Sequence, residues 1–556
     1  MQRIWLKSYP AGVPADIDPE HLRTLVDLIE QSCTAHADAV SYVQMGHSLT
    51  YRRLGQLSRD FAAFLQKKAG LGKGERIAIM LPNVLQYPIA LFGALRAGLT
   101  IVNTNPLYTA PELEHQLNDS GATAIVVLEN FAHVLEKVLP RTSVRHVLVT
   151  GVGDMLGFPK AAIVNYVIRH RRRQVPPFRI GGAVRFTDAL RAGASLTLDP
   201  VALNREDLAF LQYTGGTTGV AKGAMLSHGN VSANVLQAEA WIGVTFVRTT
   251  GTLITPIPLY HIFALTANCL LFARLGWRNI LIVNPRDFPA VIAELRKYPF
   301  RFISGVNTLF NAFLHTPGFD QVDFSSLQIT LGGGMAVQAA VAQRWKQVTG
   351  KILTQAWGLT ETSPAACINP PGEDFNGAIG LPISSTEVAI KDDAGNDLAI
   401  GQVGEICVRG PQVMSGYWRR PDETVKVLLP DGWLRTGDVG RMDERGYVFI
   451  EDRKKDMILV SGFNVYPNEV EAVAASHPGI LEAAAVAQPD EHSGEVVALF
   501  VVPKDPTLTE KSVIDFCRQS LAGYKVPRHV YFRKELPKTN VGKILRKALR
   551  DELAGK

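Results

Sequence analysis

Cysteine is scarce in this chain of 556 residues, with five in all. Cys33, Cys269, Cys367, Cys407 and Cys517 lie far apart, with no C-x-x-C pair and no histidine at zinc spacing. A disulfide framework and a zinc site are therefore excluded as organising features, and the usage fits a reducing compartment. Charge of one sign is also in short supply, since 58 Lys and Arg face 52 Asp and Glu for a net +6. A solvated surface is the plain reading, with an anionic ligand or an anionic membrane face as the lesser ones. Internal repeats and low-complexity tracts are absent. The amino terminus, MQRIWLKSYPAGVPADIDPE, collects acids and prolines before an apolar run develops, so no secretory signal is expected. Residues 77–95 and 252–273 lack Asp, Glu, Lys and Arg and have the length of a bilayer span. The first holds Pro82, Asn83, Gln86 and Pro88, and the second Pro256, Pro258, His261 and Asn268. Both are expected to be buried strand–turn–helix core.

What the chain has in quantity is core-forming sequence: 46% hydrophobic residues against 20% charged, the balance of a soluble globular protein. Its length predicts roughly three or four structural units. Short runs rich in Val and Ile, at 122–128, 146–151, 279–284 and 301–306, close on polar, Gly or Pro residues and predict buried strands. Amphipathic patterns at 31–36, 51–68 and 338–350 predict helices between strands. This alternation predicts an α/β fold of mainly parallel sheets covered by helices. After Gly401 short strands with frequent turns predict a small β-rich subdomain, and from about Lys454 a smaller α+β unit follows. The expected division is 1–452 and 453–556.

The sharpest local signal runs from Tyr213 to Gly223, YTGGTTGVAKG, directly after the apolar run 208–211. Gly215, Gly216 and Gly219 let the backbone fold tightly with N–H groups turned to an anion. Thr214, Thr217 and Thr218 add hydroxyls, and Lys222 adds positive charge. The loop is not a Walker A motif, because Lys222 lies between Ala221 and Gly223. A ligand-free Gly/Thr turn is the bland alternative.

This loop resembles the signature of the adenylate-forming superfamily, which includes acyl–CoA ligases, peptide-synthetase adenylation domains and firefly luciferase. Further segments resemble that superfamily's motifs in order, over roughly residues 30–550. In TPIPLYHIF (255–263), the resemblance assigns His261, with Phe263 and Leu265, to the acyl pocket. LGGGM (331–335) resembles the backbone stretch laid against adenine, implicating Gly332, Gly333 and Gly334. AWGLTET (356–362) matches an aromatic-Gly-x-Thr-Glu motif and implicates Trp357, Gly358 and Thr360. The family usually has Tyr where this chain has Trp357; an indole can still stack on adenine, but a contact made by a tyrosine hydroxyl is expected to be lost. Glu361, with Thr214, is implied as the holder of Mg2+, a hard cation that wants carboxylate and phosphate oxygens. Asp438, in GWLRTGD (432–438), and Arg453, in EDRKKD (451–456), resemble the ribose contacts. Lys455 sits at the family's hinge, Ser461, Gly462 and Phe463 at the coenzyme A-facing loop of a mobile C-terminal domain, and Lys543, in PKTNVGK (537–543), at its catalytic lysine.

The wording is nearest to bacterial long-chain fatty-acid–CoA ligases. The resemblance thus implies ATP and coenzyme A as co-substrates, a long-chain fatty acid as substrate, and formation of an acyl-adenylate followed by a thioester. An amino-acid-activating relative would place an Asp in 255–268, and none occurs. With few residues after Lys543, no carrier domain is expected, and no insertion of the kind seen in acyl-AMP ligases occurs near the domain junction. Medium-chain and aryl acid–CoA ligases share every motif and stay open, whereas luciferase-like oxidation has no favouring feature. A nucleotide- or nucleic-acid-binding protein is the non-enzyme alternative; no nucleic-acid partner is expected. The segment 161–168, followed by Arg169 and Arg171–Arg173, pairs an apolar face with a basic cluster, so a cytoplasmic enzyme with peripheral contact on the inner membrane face is one reading and a solvated helix the other. Oligomeric state stays open, a homodimer included.

Overall fold

The computed structural model describes residues 3–214, 221–245, 250–490, 492–539 and 542–554. Among them, strands form four sheets of nine, seven, five and four strands. The seven-stranded sheet runs in the order Val184–Arg185, His146–Thr150, Ala124–Leu128, Arg76–Met80, Thr100–Asn103, Leu208–Thr214 and Lys222–Ser227. Every pair in it is parallel except the last, an antiparallel hairpin that carries the glycine-rich loop between its strands. Ala124–Leu128 is buried at every position. Such a run with no alternation suits a parallel strand covered on both faces.

The nine-stranded sheet has a parallel centre, with Thr252–Thr255, Phe302–Gly305, Ile329–Gly332 and Leu353–Gly358 side by side. Helices start where the sequence supplies caps. Thr24 and Asp27 form a capping box on Leu25–Ala35, and Thr50 caps Tyr51–Lys67. Both stretches weighed as membrane spans are interior. The first is the strand Arg76–Met80 and the fully buried helix Gln86–Arg96; the second is Thr252–Thr255 followed by helical turns from Ile262 to Arg274. Among the described residues no helix is long and apolar enough to cross a membrane.

The four-stranded antiparallel sheet begins earlier than the change of texture at Gly401 implies. Its first strand is Glu387–Lys391, whose nearly uniform burial lacks the alternation that marks the sheet's longest strand, Leu434–Met442. The five-stranded sheet lies entirely after Lys455 and has its own apolar core, built on Val470, Leu499, Val501 and Val513. Thr308 Oγ1 donates to the Gly542 carbonyl at 2.7 Å, and Asn311 Nδ2 to the Leu481 carbonyl at 3.0 Å. These bonds seat the small unit against the helix Asn307–Leu314, which follows a central strand of the nine-stranded sheet.

Candidate active site

The strand ends converge on a cleft of about 1450 Å³. At one end, Thr214 and Lys222 are cross-strand partners. The Lys222 ammonium pairs with Glu423 and lies 5.3 Å over the Tyr417 ring. Tyr417 donates its hydroxyl to Glu361 Oε1 at 2.7 Å, and the Met414 N–H bonds the Glu361 carbonyl at 2.8 Å. Tyr213 and Arg420 both reach Asp119, at 2.6 and 2.9 Å, and Trp418 donates to its carbonyl. The segment 414–420 is therefore a brace for the loop's base and for Glu361 together. Gly215, Gly216, Thr217, Thr218 and Gly219 lie outside the described residues.

Further along, Trp357, Gly358, Thr360 and Glu361 line the cleft beside Asp438 and Arg453. Asp438 and Arg453 face each other across antiparallel strands, with Arg453 Nε 3.0 Å from Asp438 Oδ1. The Trp357 indole N–H donates to Asp438 Oδ2 at 2.9 Å. The indole thus brings a polar contact of its own to this position, apart from any that a tyrosine hydroxyl would make. A side chain at Gly358 would overlap the Pro364 carbonyl oxygen. Gly333 and Gly334 line the cleft, while Gly332 closes its strand against Val337 and Leu353 and does not.

Lys543 reaches the same cleft from the small unit. A Cβ on Gly334, whose φ is +79°, would sit 3.3 Å from Lys543 Cε, so the glycine makes room for the lysine. The Thr539 N–H donates to the Lys543 carbonyl at 2.7 Å and the Lys543 N–H to Thr539 Oγ1 at 3.1 Å, closing the turn. Burial first, then the positive charge of Arg453, hold the Lys543 ammonium down to about 8. Burial first, then Lys543, push His261 down to about 3, so its imidazole is neutral at pH 7. Its Nδ1 accepts from the Phe263 N–H at 3.3 Å, which leaves Nε2 to carry the proton.

The loop before His261 is clamped by side chains that sequence reasoning did not single out as functional. Asn83 donates to the Thr255 and Ile257 carbonyls and accepts from the Leu259 N–H. Tyr87 donates to the Leu259 carbonyl and Gln212 to the Tyr260 carbonyl, each at 2.8 Å, while Asn103 joins Tyr87 to Gln212. Their available signal was an uncharged polar residue inside an apolar run. The lining of the same cleft also includes the apolar side chains of Ala238, Ile242, Phe263, Ala267, Leu271 and Phe302. Leu265 is fully buried and is not part of that lining.

Lys455 lines the cleft, its ammonium held below the ordinary range by burial and then Arg453. Ser461 and Gly462, with φ of +50° and +85°, turn a hairpin outside the cleft. Phe463 on that hairpin is exposed and stacks on Tyr524 at 4.9 Å. In this structure the described nucleotide and acyl residues, Gly332 and Leu265 excepted, meet in the cleft, and the predicted coenzyme A-facing residues stand apart from them.

These features define a class: two-part α/β proteins in which a lysine from a small C-terminal unit enters a cleft at the strand ends of the large one. The family model described as AMP-binding enzyme matches residues 29–418, and that of the AMP-binding enzyme C-terminal domain matches 469–543. The chain belongs to the AMP-binding enzyme family. It is 56% identical to a long-chain-fatty-acid–CoA ligase of Escherichia coli O157:H7, covering 100% of this chain and 99% of the relative. It is 52% identical to one of Haemophilus influenzae over 99% of each. Among solved structures it resembles the anthranilate CoA ligase AuaEII in complex with anthranoyl-AMP, with a TM-score of 0.86 at 25% identity, covering 97% of this chain and 99% of that one.

Proposed function

We propose that this protein is a long-chain fatty-acid–CoA ligase that converts ATP, a fatty acid and coenzyme A to acyl-CoA, AMP and diphosphate through an acyl-adenylate. The observation that carries the reading is one continuous cleft that Lys543, Glu361 and the Asp438–Arg453 pair share with His261 and the apolar side chains of its lining. Full-length identity to enzymes named for that reaction supports the long-chain substrate. In the first step a carboxylate oxygen forms a bond to the α-phosphorus as the bond to diphosphate breaks. An anion approaches a polyanion, so the work is positioning and charge neutralisation. Lys543 neutralises the α-phosphate and the entering carboxylate, and the His261 Nε2–H donates to that carboxylate. Lys222 and the glycine-rich loop receive the departing diphosphate.

Glu361 and Thr214 would hold Mg2+. A single carboxylate whose second oxygen is left open by Tyr417, with a hydroxyl nearby, fits a cation that takes most of its ligands from phosphate and water. The ion supplies charge neutralisation on the phosphates.

In the second step the coenzyme A sulfur bonds to the acyl carbonyl carbon, its proton leaves to solvent, and AMP departs. Residues 1–452 then act as the nucleotide and acyl domain, and 453–556 as a mobile domain that turns about Lys455. The turn withdraws Lys543 and presents Ser461, Gly462 and Phe463 to the pantetheine. The protein acts in the cytoplasm, with the segment at 158–173 as a peripheral contact on anionic lipid. Phe158 is 92% exposed, with Ile163 and Tyr166 exposed nearby, and Arg171, Arg172 and Arg173 are solvent-facing. Arg169 is not part of that basic face, because it forms a two-pronged pair with buried Glu129.

Diphosphate release with ATP, Mg2+ and coenzyme A, with the acyl-CoA products resolved from competing octanoate, laurate, palmitate and an aromatic acid, tests the reading. Palmitate or laurate is expected to dominate; release with none of these acids refutes it.

A further inference from the structure

We infer that Trp357 sets the sugar selectivity of the nucleotide site by orienting the Asp438 carboxylate, a role separate from stacking. The inference rests on the ATP reading of the cleft. Asp438 is 1% exposed, and its two oxygens stand in unlike environments. Oδ2 accepts the Trp357 indole N–H at 2.9 Å. Oδ1 lies 3.0 Å from Arg453 Nε but out of hydrogen-bonding alignment, and it receives no hydrogen bond from any described group. A buried carboxylate oxygen in that condition is costly and calls for a donor. The Asp438 side chain lines the cleft, so the donor it is built for is a ligand hydroxyl.

The indole decides which oxygen is left open. Trp357 is the next-to-last residue of the strand Leu353–Gly358 of the nine-stranded sheet, whereas Asp438 stands on Leu434–Met442 of the four-stranded sheet. Their bond spans two separately built layers and fixes the carboxylate rotation. An indole N–H can only donate, so it accepts no alternative arrangement in which Asp438 is protonated towards it. A tyrosine hydroxyl at this position could donate or accept and would leave the rotation less defined. With the indole already donating to Oδ2, Oδ1 is the oxygen that still lacks a donor, and loss of the sugar hydroxyl that meets it leaves it orphaned. Sites built to bind a hydroxyl reject analogues without it for this reason.

The test compares ATP, 2′-deoxyATP and 3′-deoxyATP in palmitate-dependent ATP–diphosphate exchange. W357F keeps a ring face and removes the N–H; replacing Trp357 with 3-benzothienylalanine keeps the full shape and removes only the N–H. In both variants kcat/KM for ATP is expected to fall, and the preference for ATP over the more discriminated deoxy analogue to shrink by about tenfold, the scale of one lost charge-assisted hydrogen bond. A packing or stacking role would lower all three nucleotides together and leave the ratios at their wild-type values, and that result overturns the inference. Absence of any exchange in the wild type would instead refute the ATP reading itself. The benzothienyl variant covers the case in which W357F fails to fold.

Discussion

The state of Lys543 makes a quantitative demand on the pH dependence of adenylation. Burial and Arg453 hold its ammonium at about 8, against an ordinary lysine value near 10.4. The catalytic form is the charged one, because its task is to offset the charge of phosphate and carboxylate. In the free enzyme about nine-tenths of Lys543 is charged at pH 7 and about one-tenth at pH 9. The kcat/KM for ATP in the first half-reaction reports groups of the free enzyme. It is expected to bend near pH 8 and then fall about tenfold per pH unit. Lys543→Arg keeps its charge throughout this range, so its alkaline limb should vanish even though a planar fork fits the site less well. Lys543→Ala should lie about 10²–10³-fold lower at neutral pH, the usual cost of one charged donor. Thioester formation from supplied acyl-AMP should survive in both variants. Stability runs the other way. With the folded value below the unfolded one, the unfolded chain binds more protons between about pH 8 and 10.5, so Lys543 opposes the closed arrangement less as pH rises. A wild-type profile flat to pH 9.5, or an alkaline limb that persists in the arginine variant, would refute the assignment.

Three further outcomes are expected. Lys455→Pro should leave adenylation intact and slow thioester formation, measured separately with and without coenzyme A; normal thioester formation removes the hinge from Lys455. Tyr417→Phe deletes the 2.7 Å hydrogen bond to Glu361, about 1.5–3 kcal/mol for a charged acceptor, and should slow adenylation by about tenfold or more while sparing thioester formation from acyl-AMP; equal slowing of both steps would point to general damage. Neutralising Arg171, Arg172 and Arg173 together, or Phe158→Ser alone, should reduce flotation with anionic vesicles and leave activity on soluble laurate unchanged; undiminished flotation discards the membrane contact.

Local chemistry was legible before the fold was known. The Val- and Ile-rich runs at 122–128 and 146–151 hold the parallel strands Ala124–Leu128 and His146–Thr150, and Thr214, Glu361, Asp438, Arg453 and Lys543 line one cleft. Each carries a charge or hydroxyl inside a short pattern with a distinctive composition. Illegible were the residues whose meaning lies in long-range pairing. Asp119 reads as one more helix-surface acid until the fold brings it to Tyr213 and Arg420, far away in sequence. Asn83 argues from sequence only against a membrane span and Tyr87 carries no local signal, yet both hold the loop that aims His261. The indole bond to Asp438 was hidden for the same reason, since it joins two sheets whose packing no local pattern encodes. The basic run at 169–173 was misjudged in one member, because pairing with Glu129 is invisible to charge counting.

The same long-range pairing bears on how the two half-reactions are kept apart. Arg546 lies just beyond Lys543, the proposed catalytic lysine, and straddles the proposed hinge. Its guanidinium meets Asp452, before Lys455, at 3.2 Å, and Glu471, after it, at 2.8 Å, while Arg550 holds Asp456 at 2.8 Å. Glu471 and Asp456 belong to the small unit and would travel with Arg546; Asp452 would not. A turn about Lys455 therefore has to strip Asp452 of Arg546 and of the Asn468 N–H that donates to it at 2.8 Å. Asp452 is 1% exposed, and burial already lifts its carboxyl above the ordinary range, so an unpartnered charge there is a real barrier. With polyphosphate gone, however, Lys543 is left buried beside Arg453 with less anionic charge to meet, which weakens the closed arrangement from its other end. A ligand moves a domain equilibrium only by its differential affinity for the two states. On the proposed reading, departure of diphosphate would remove what favours closure, and coenzyme A at the Ser461–Phe463 hairpin would supply what favours the turn, so that the two ends of one charge network would be relieved in sequence.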